Sequence, residues 1–164
     1  MIYASAKPIP QAVLQVCQVW AKARSKDPNT QVGAAIYDEG SGGLFLGYNG
    51  FPANIEDKSE WWDRRIEEHC VLGSVYQLTK YDLVVHAEVN AVRKALLARV
   101  KLCDCTLYCT HLPCPQCFKD VVLSNGIYRV AYLEENYSSQ NERNRWLTRE
   151  LAKLAEVELI HMGV

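Results

Sequence analysis

Apolar residues at Val13, Val16, Cys17 and Trp20 recur three and four positions apart. They predict an amphipathic helix over residues 8–24, with Pro10 in its opening turn. A polar loop, Arg24-Ser25-Lys26-Asp27-Pro28-Asn29-Thr30, follows. Two apolar runs, residues 32–37 and 44–50, flank the Asp- and Gly-containing stretch 38–43 and predict a β-hairpin. Residues 51–82 carry the weakest pattern; 61–78 can hold a helix with Ser59 as its cap. Residues 86–99 read as a helix with Val89, Val92, Leu96 and Leu97 on its inner side, and 105–110 as a short strand. A helix over 114–124, stopped by Asn125-Gly126, precedes a strand at 127–133, a helix at 141–154 and a last strand at 157–160. This alternation predicts an α/β fold, a mixed sheet with helices on both faces. No internal repeat or low-complexity linker interrupts it, so residues 1–164 are read as one domain.

Composition narrows the classes of function. The length of 164 residues suffices for one domain with a sizeable core, and the formal net charge of −1 provides no global field toward nucleic acid or anionic lipid. No apolar run is long enough to span a bilayer, and residues 1–8 hold no apolar signal core, so a soluble cytoplasmic protein is expected. Seven cysteines, an odd number without even spacing, argue against a disulfide framework. Cys17, Cys103, Cys105 and Cys109 lie in apolar segments and read as small core residues in a reducing compartment.

Of the other three, Cys114 and Cys117 share one face of a helix opening, preceded by Pro113 and joined by Pro115. The positive end of that helix favours thiolates. With His86 they offer three zinc ligands, and the fourth position is then left to water. Glu88 lies two residues beyond His86. On a regular helix the two would diverge, so both reach one site only if a helix starts at His86. One neutral imidazole and two thiolates leave zinc formally neutral. The ion then lowers the pKa of bound water to about 7, with Glu88 as the nearby base. A structural zinc completed by Cys109, His111 or Cys70, and a metal-free redox pair, are the competing readings.

In these motifs and their order the sequence resembles the deoxycytidylate (dCMP) deaminases. The blocks are residues 24–34, Gly47-Tyr48-Asn49-Gly50-Phe51-Pro52, His86-Ala87-Glu88-Val89-Asn90-Ala91 and Pro113-Cys114-Pro115-Gln116-Cys117. The resemblance runs from about Val16 to Tyr137. It implies a three-layer α/β/α cytidine-deaminase-like fold around a mixed five-stranded sheet. It also implies hydrolysis of dCMP to dUMP and ammonia, supplying dUMP for dTMP synthesis, with zinc held by His86, Cys114 and Cys117. Glu88 would protonate N3 and later the leaving amine. The Ala87 amide would hold the pyrimidine carbonyl, Asn49 the deoxyribose, and Arg24, Ser25 and Lys26 the 5′-phosphate, with Tyr137 near the substrate. Similar enzymes form oligomers, often homohexamers, activated by dCTP and inhibited by dTTP, with magnesium (Mg2+) on the triphosphate. Regulation there is associated with the stretch Gly47, Tyr48, Asn49 and Gly50.

Local readings compete at several of these positions. Arg24 and Lys26 flanking a hydroxyl suit a phosphate, but basic residues are favoured at any helix C-terminus. Asn49-Gly50 also reads as a tight turn. Some relatives carry a second zinc within residues 51–82; His69 and Cys70 are adjacent, a poor spacing, and helix packing is the default. The cluster Trp61-Trp62-Asp63-Arg64-Arg65 suits a subunit contact or local core. Alternative activities are a nucleoside or tRNA deaminase, a catalytically silent zinc module, and deamination of dCTP or 5-modified dCMP. The balanced charge supports neither nucleic acid nor membrane as a partner.

Overall fold

The computed structural model describes residues 8–56, 58–62, 67–71, 74–134 and 142–163, and only the backbone at residue 60 and through 67–78. Five strands form the central sheet: β1 (Gly33–Asp38), β2 (Gly43–Tyr48), β5 (Thr106–His111), β6 (Arg129–Glu134) and β7 (Glu158–His161). Their order is β2-β1-β5-β6-β7. β1 pairs antiparallel with both β2 and β5, whereas β5, β6 and β7 run parallel, so the sheet is mixed.

Strand alternation sorts the core into two layers. Val13, Leu14 and Cys17 of helix α1 (Ile9–Arg24) pack with Ala35, Tyr108 and Ala131 on one face. Ala34, Ile36, Leu107, Cys109, Val130 and Tyr132 point to the other face. That face is covered by α3 (Ala87–Leu97), by the segment after α4 (Pro115–Cys117), and by α5 (Glu142–Leu154). Helices therefore cover both faces, as the alternation predicts. No helix among the described residues is long and apolar enough to cross a membrane.

The inner face of α3 differs from expectation. Val92 is buried, but Val89, Leu96 and Leu97 are 37%, 50% and 77% exposed. Ala87, Glu88, Ala91, Val92 and Ala95 are buried instead. The helix lies too close to β2 for large side chains: a Cβ on Gly47 would sit 2.5 Å from the Ala91 nitrogen. Small residues let the backbones approach, and periodicity weighted toward bulky residues selects the wrong face. From the same helix, Asn90 Nδ2 and Lys94 Nζ donate to the Tyr48 and Leu46 carbonyls at 2.9 and 2.6 Å. These bonds satisfy part of the edge of β2.

The described residues within 61–78 do not form the expected α-helix. A 3₁₀ turn, Ser59–Trp62, is followed by the antiparallel pair β3 (Glu67–Val71) and β4 (Ser74–Leu78). Val71, Val75 and Tyr76 favour strand, and Gly73 interrupts any helical run. His69 and Cys70 thus lie on β3, opposite Tyr76 and Val75. Trp62 is buried and stacks on Phe51 at 4.3 Å between ring centroids, which makes it local core.

The helix expected over 114–124 is also modified. After α4 the chain continues as a π turn, Phe118–Val122, and a 3₁₀ turn, Leu123–Asn125, and stops at Gly126 with φ 68°. α3 and α5 end on the same left-handed position, occupied by Arg99 (φ 61°) and Glu156 (φ 55°).

Candidate active site

His86 is delivered by backbone pairing. Gly50 and Val85 exchange hydrogen bonds at 3.1 and 2.8 Å, holding the chain extended up to residue 86. His86 is the N-cap of α3, with φ −69° and ψ 153°. The helix start demanded by the His-x-Glu spacing is therefore present. Glu88 lies in the first turn and is 2% exposed. Ala87 opens the helix, so its N–H is among the amides that no earlier helical carbonyl can satisfy.

On the neighbouring segment, Cys114 caps α4 and its sulfur accepts from the Cys117 N–H at 3.4 Å. His86 Nδ1 stands 3.6 Å from Cys114 Sγ and 3.2 Å from Cys117 Sγ. The ligand atoms of all three residues lie within 4.8 Å of one another. Bond lengths of about 2.0 and 2.3 Å at a tetrahedral ion require an N···S separation of about 3.5 Å. The donor set fits zinc.

No fourth protein donor joins this cluster among the described residues. His111 faces elsewhere, its Nδ1 2.9 Å from Thr110 Oγ1 and its Nε2 3.4 Å from Glu134. Cys109 is buried in the β5 core, where desolvation raises its thiol well above the ordinary range.

The protons of the cluster are shared unequally. Hydrogen bonding from Cys117 pulls the Cys114 thiol down to about 4, whereas the same contact and burial push Cys117 up. The contact with the Cys114 sulfur raises His86 to about 9, against the effect of burial. Burial holds the Glu88 carboxyl above the usual carboxylate range, partly offset by His86. A carboxyl with a raised pKa is suited to both accepting and donating a proton near neutrality.

The other predicted residues are placed unevenly. Asn49 is not in a tight turn: Gly50 is bridged to Val85, and the Asn49 side chain clamps the preceding loop. Its Oδ1 accepts from Val32 N–H at 2.9 Å and its Nδ2 donates to the Thr30 carbonyl at 2.8 Å. Arg24 ends α1 with its guanidinium 5.8 Å from the Trp20 ring centre and 5.7 Å from that of Tyr48. Ser25 is buried and Lys26 exposed in the same loop. Tyr137 lies outside the described residues. The sequence reading passed over Asp27 and Lys80, which form a buried ion pair at 3.1 Å. They are 53 residues apart, and no local pattern announces a contact of that separation.

Against this geometry, known proteins give a consistent picture. The chain is 37% identical over 124 residues to a probable deoxycytidylate deaminase of Caenorhabditis elegans, covering 76% of this chain and 56% of that protein. It is 35% identical over 119 residues to the human deoxycytidylate deaminase, covering 73% of this chain and 61% of that protein. The chain thus matches less than two thirds of the length of these relatives. Its fold superposes with a TM-score of 0.67 on the dCMP deaminase of cyanophage S-TIM5, solved in complex with dCMP and dUMP. That match is 25% identical and covers 96% of this chain and 100% of the phage chain. The sequence model for the cytidine and deoxycytidylate deaminase zinc-binding region matches residues 8–134, and the chain belongs to that family.

Proposed function

We propose that this protein is a zinc-dependent hydrolase that converts dCMP to dUMP and ammonia. The observation that carries the reading is the His86, Cys114 and Cys117 donor set with the buried Glu88 carboxyl beside it. Zinc held by these side chains supplies an activated water and stabilises developing charge. Glu88 would accept one proton from the attacking water and deliver it to ring N3, then carry the second, from the hydroxyl added at C4, to the amine that leaves as ammonia. The Ala87 N–H binds the pyrimidine carbonyl. Asn49 contacts the deoxyribose while its remaining hydrogen-bonding capacity secures residues 30–32. Arg24, Ser25 and Lys26 bind the 5′-phosphate, and Tyr137 lies beside the substrate.

The proposal extends to regulation: a homohexamer activated by dCTP with magnesium and inhibited by dTTP. Supporting it are the motif Gly47-Tyr48-Asn49-Gly50, which packs against the start of α3, and the exposed Leu96, Leu97 and Trp146, apolar surface of a kind that association covers.

A substrate panel tests the catalytic reading: ammonia release from dCMP, CMP, deoxycytidine, dCTP and 5-modified dCMP by zinc-loaded protein. The expected outcome is the highest kcat/KM with dCMP; no turnover of dCMP overturns the assignment. Saturation curves for dCMP that ignore dCTP plus magnesium would remove the regulatory part alone.

A further inference from the structure

The loop after α1 and the turn that delivers His86 are joined by two buried charges. Lys80, in the short helix α2 (Lys80–Leu83), places Nζ 3.2 and 3.1 Å from the two carboxylate oxygens of Asp27. Their side chains are only 4% and 6% exposed. Asp27 Oδ1 also accepts from the Asn29 and Thr30 N–H groups at 2.9 and 3.1 Å, so the carboxylate organises the loop from inside. Its own N–H is turned to Ser25 Oγ at 3.4 Å.

The pair is not the loop's only anchor. Asn49 bonds Val32 and Thr30, and Gly50 pairs with Val85, so the same two segments are tied through neutral contacts as well. A buried ion pair adds little stability over an apolar replacement, because desolvation offsets the attraction. What its loss would change most is charge. Asp27 follows directly on Arg24, Ser25 and Lys26. An uncompensated carboxylate there would repel a phosphate several ångströms away by about tenfold or more in affinity at a protein-like dielectric.

We infer that Lys80 neutralises Asp27 within the phosphate loop, and that this pair sets the preference for a phosphorylated over a phosphate-free substrate. The inference rests on reading residues 24–26 as the phosphate contacts. Lys80 and Asp27 are positioning and charge-balancing residues that need not touch the substrate.

The test is a charge cycle in the zinc-loaded full chain: Lys80→Met, Asp27→Asn and the double variant. Each is assayed for KM with dCMP and with deoxycytidine, with the Ki of deoxycytidine as competitor where its turnover is too slow to follow. Lys80→Met is expected to raise the KM for dCMP about tenfold while deoxycytidine changes less than about threefold. Asp27→Asn, which leaves an excess cation, shifts the ratio in the opposite direction, and the double variant restores the wild-type ratio. A purely structural role cannot produce that reversal of sign. Single variants that move the ratio the same way, or both substrates moving together, overturn the inference. If Lys80→Met does not fold, Asp27→Asn and the double variant carry the test. Arg24→Ala separates the underlying reading. Equal effects on both substrates there refute the phosphate loop itself; a dCMP-selective effect beside an unselective charge cycle refutes only the role of the pair.

Discussion

Gly47 lies so close beneath the start of α3 that a Cβ on it would stand 2.1 Å from the carbonyl oxygen of Ala87. Backbone cannot retreat as a flexible side chain can, so any larger residue must push the first turn of α3 off the sheet. That turn carries Ala87 and Glu88 and follows directly on His86. Gly47→Ala is therefore expected to cost about 1–3 kcal/mol of stability, the range for overpacking a filled core. It should also lower kcat more than an equally destabilising change remote from α3. Thermal denaturation and steady-state kinetics measured together check this; wild-type values in both would show that the contact relaxes without consequence.

Glu88 presents a buried carboxyl whose protonation is favoured by desolvation. Glu88→Gln keeps the volume and a hydrogen-bonding group but cannot shuttle a proton. Turnover should fall by about 10²–10⁴, the usual contribution of general acid–base catalysis, while zinc content stays near about one per chain. Near-normal ammonia release from that variant would remove Glu88 from proton transfer. His86→Ala should behave differently, losing metal together with activity.

Metal uptake should be strongly pH-dependent, with a sign fixed by the donor protons. The cysteine held down to about 4 is already a thiolate at neutral pH, whereas His86 keeps its proton up to about 9 and Cys117 holds its own higher still. Zinc needs a neutral imidazole and two thiolates, so binding must expel the protons of His86 and Cys117. Two protons released raise the apparent affinity about a hundredfold per pH unit through neutrality. Above about 9 the dependence weakens, as His86 deprotonates on its own. Competition with a chromophoric chelator over a pH series measures the slope; a flat profile would mean a different donor set.

The meeting of His86, Cys114 and Cys117 was legible in the sequence because each half of the cluster is local. His86 and Glu88 are joined by a helix start, and Cys114 and Cys117 by one turn opened by prolines. The β1–β2 hairpin was legible for the same reason. What escaped depends on distance or on size. The Asp27–Lys80 pair joins segments 53 residues apart. The buried face of α3 was misassigned because it is built from alanines opposite Gly47, not from Val89, Leu96 and Leu97. Asn49-Gly50 has the composition of a turn, yet pairing of Gly50 with Val85 keeps it in a bridge. The helix expected over 61–78 gave way to β3 and β4, where β-branched and aromatic residues outweigh the helical pattern.

Three helical segments end in one hydrogen-bonding pattern, with different residues at the critical position. Val100 donates to Ala95 O at 3.0 Å, Ile127 to Val122 O at 3.0 Å and Val157 to Ala152 O at 2.9 Å, each closing over a residue of positive φ. That residue is Gly126 in one case but Arg99 and Glu156 in the others. A side chain in the left-handed region costs about 1 kcal/mol or more through its Cβ, and glycine avoids this while losing more chain entropy on folding. Arg99→Gly and Glu156→Gly are thus expected to stabilise the fold by up to about 1 kcal/mol each, whereas Gly126→Ala destabilises it by about the same amount. At this chain length each kcal/mol corresponds to about 2–4 °C in Tm. Lower melting temperatures for both glycine variants would show that the Arg99 and Glu156 side chains contribute contacts that outweigh their backbone strain.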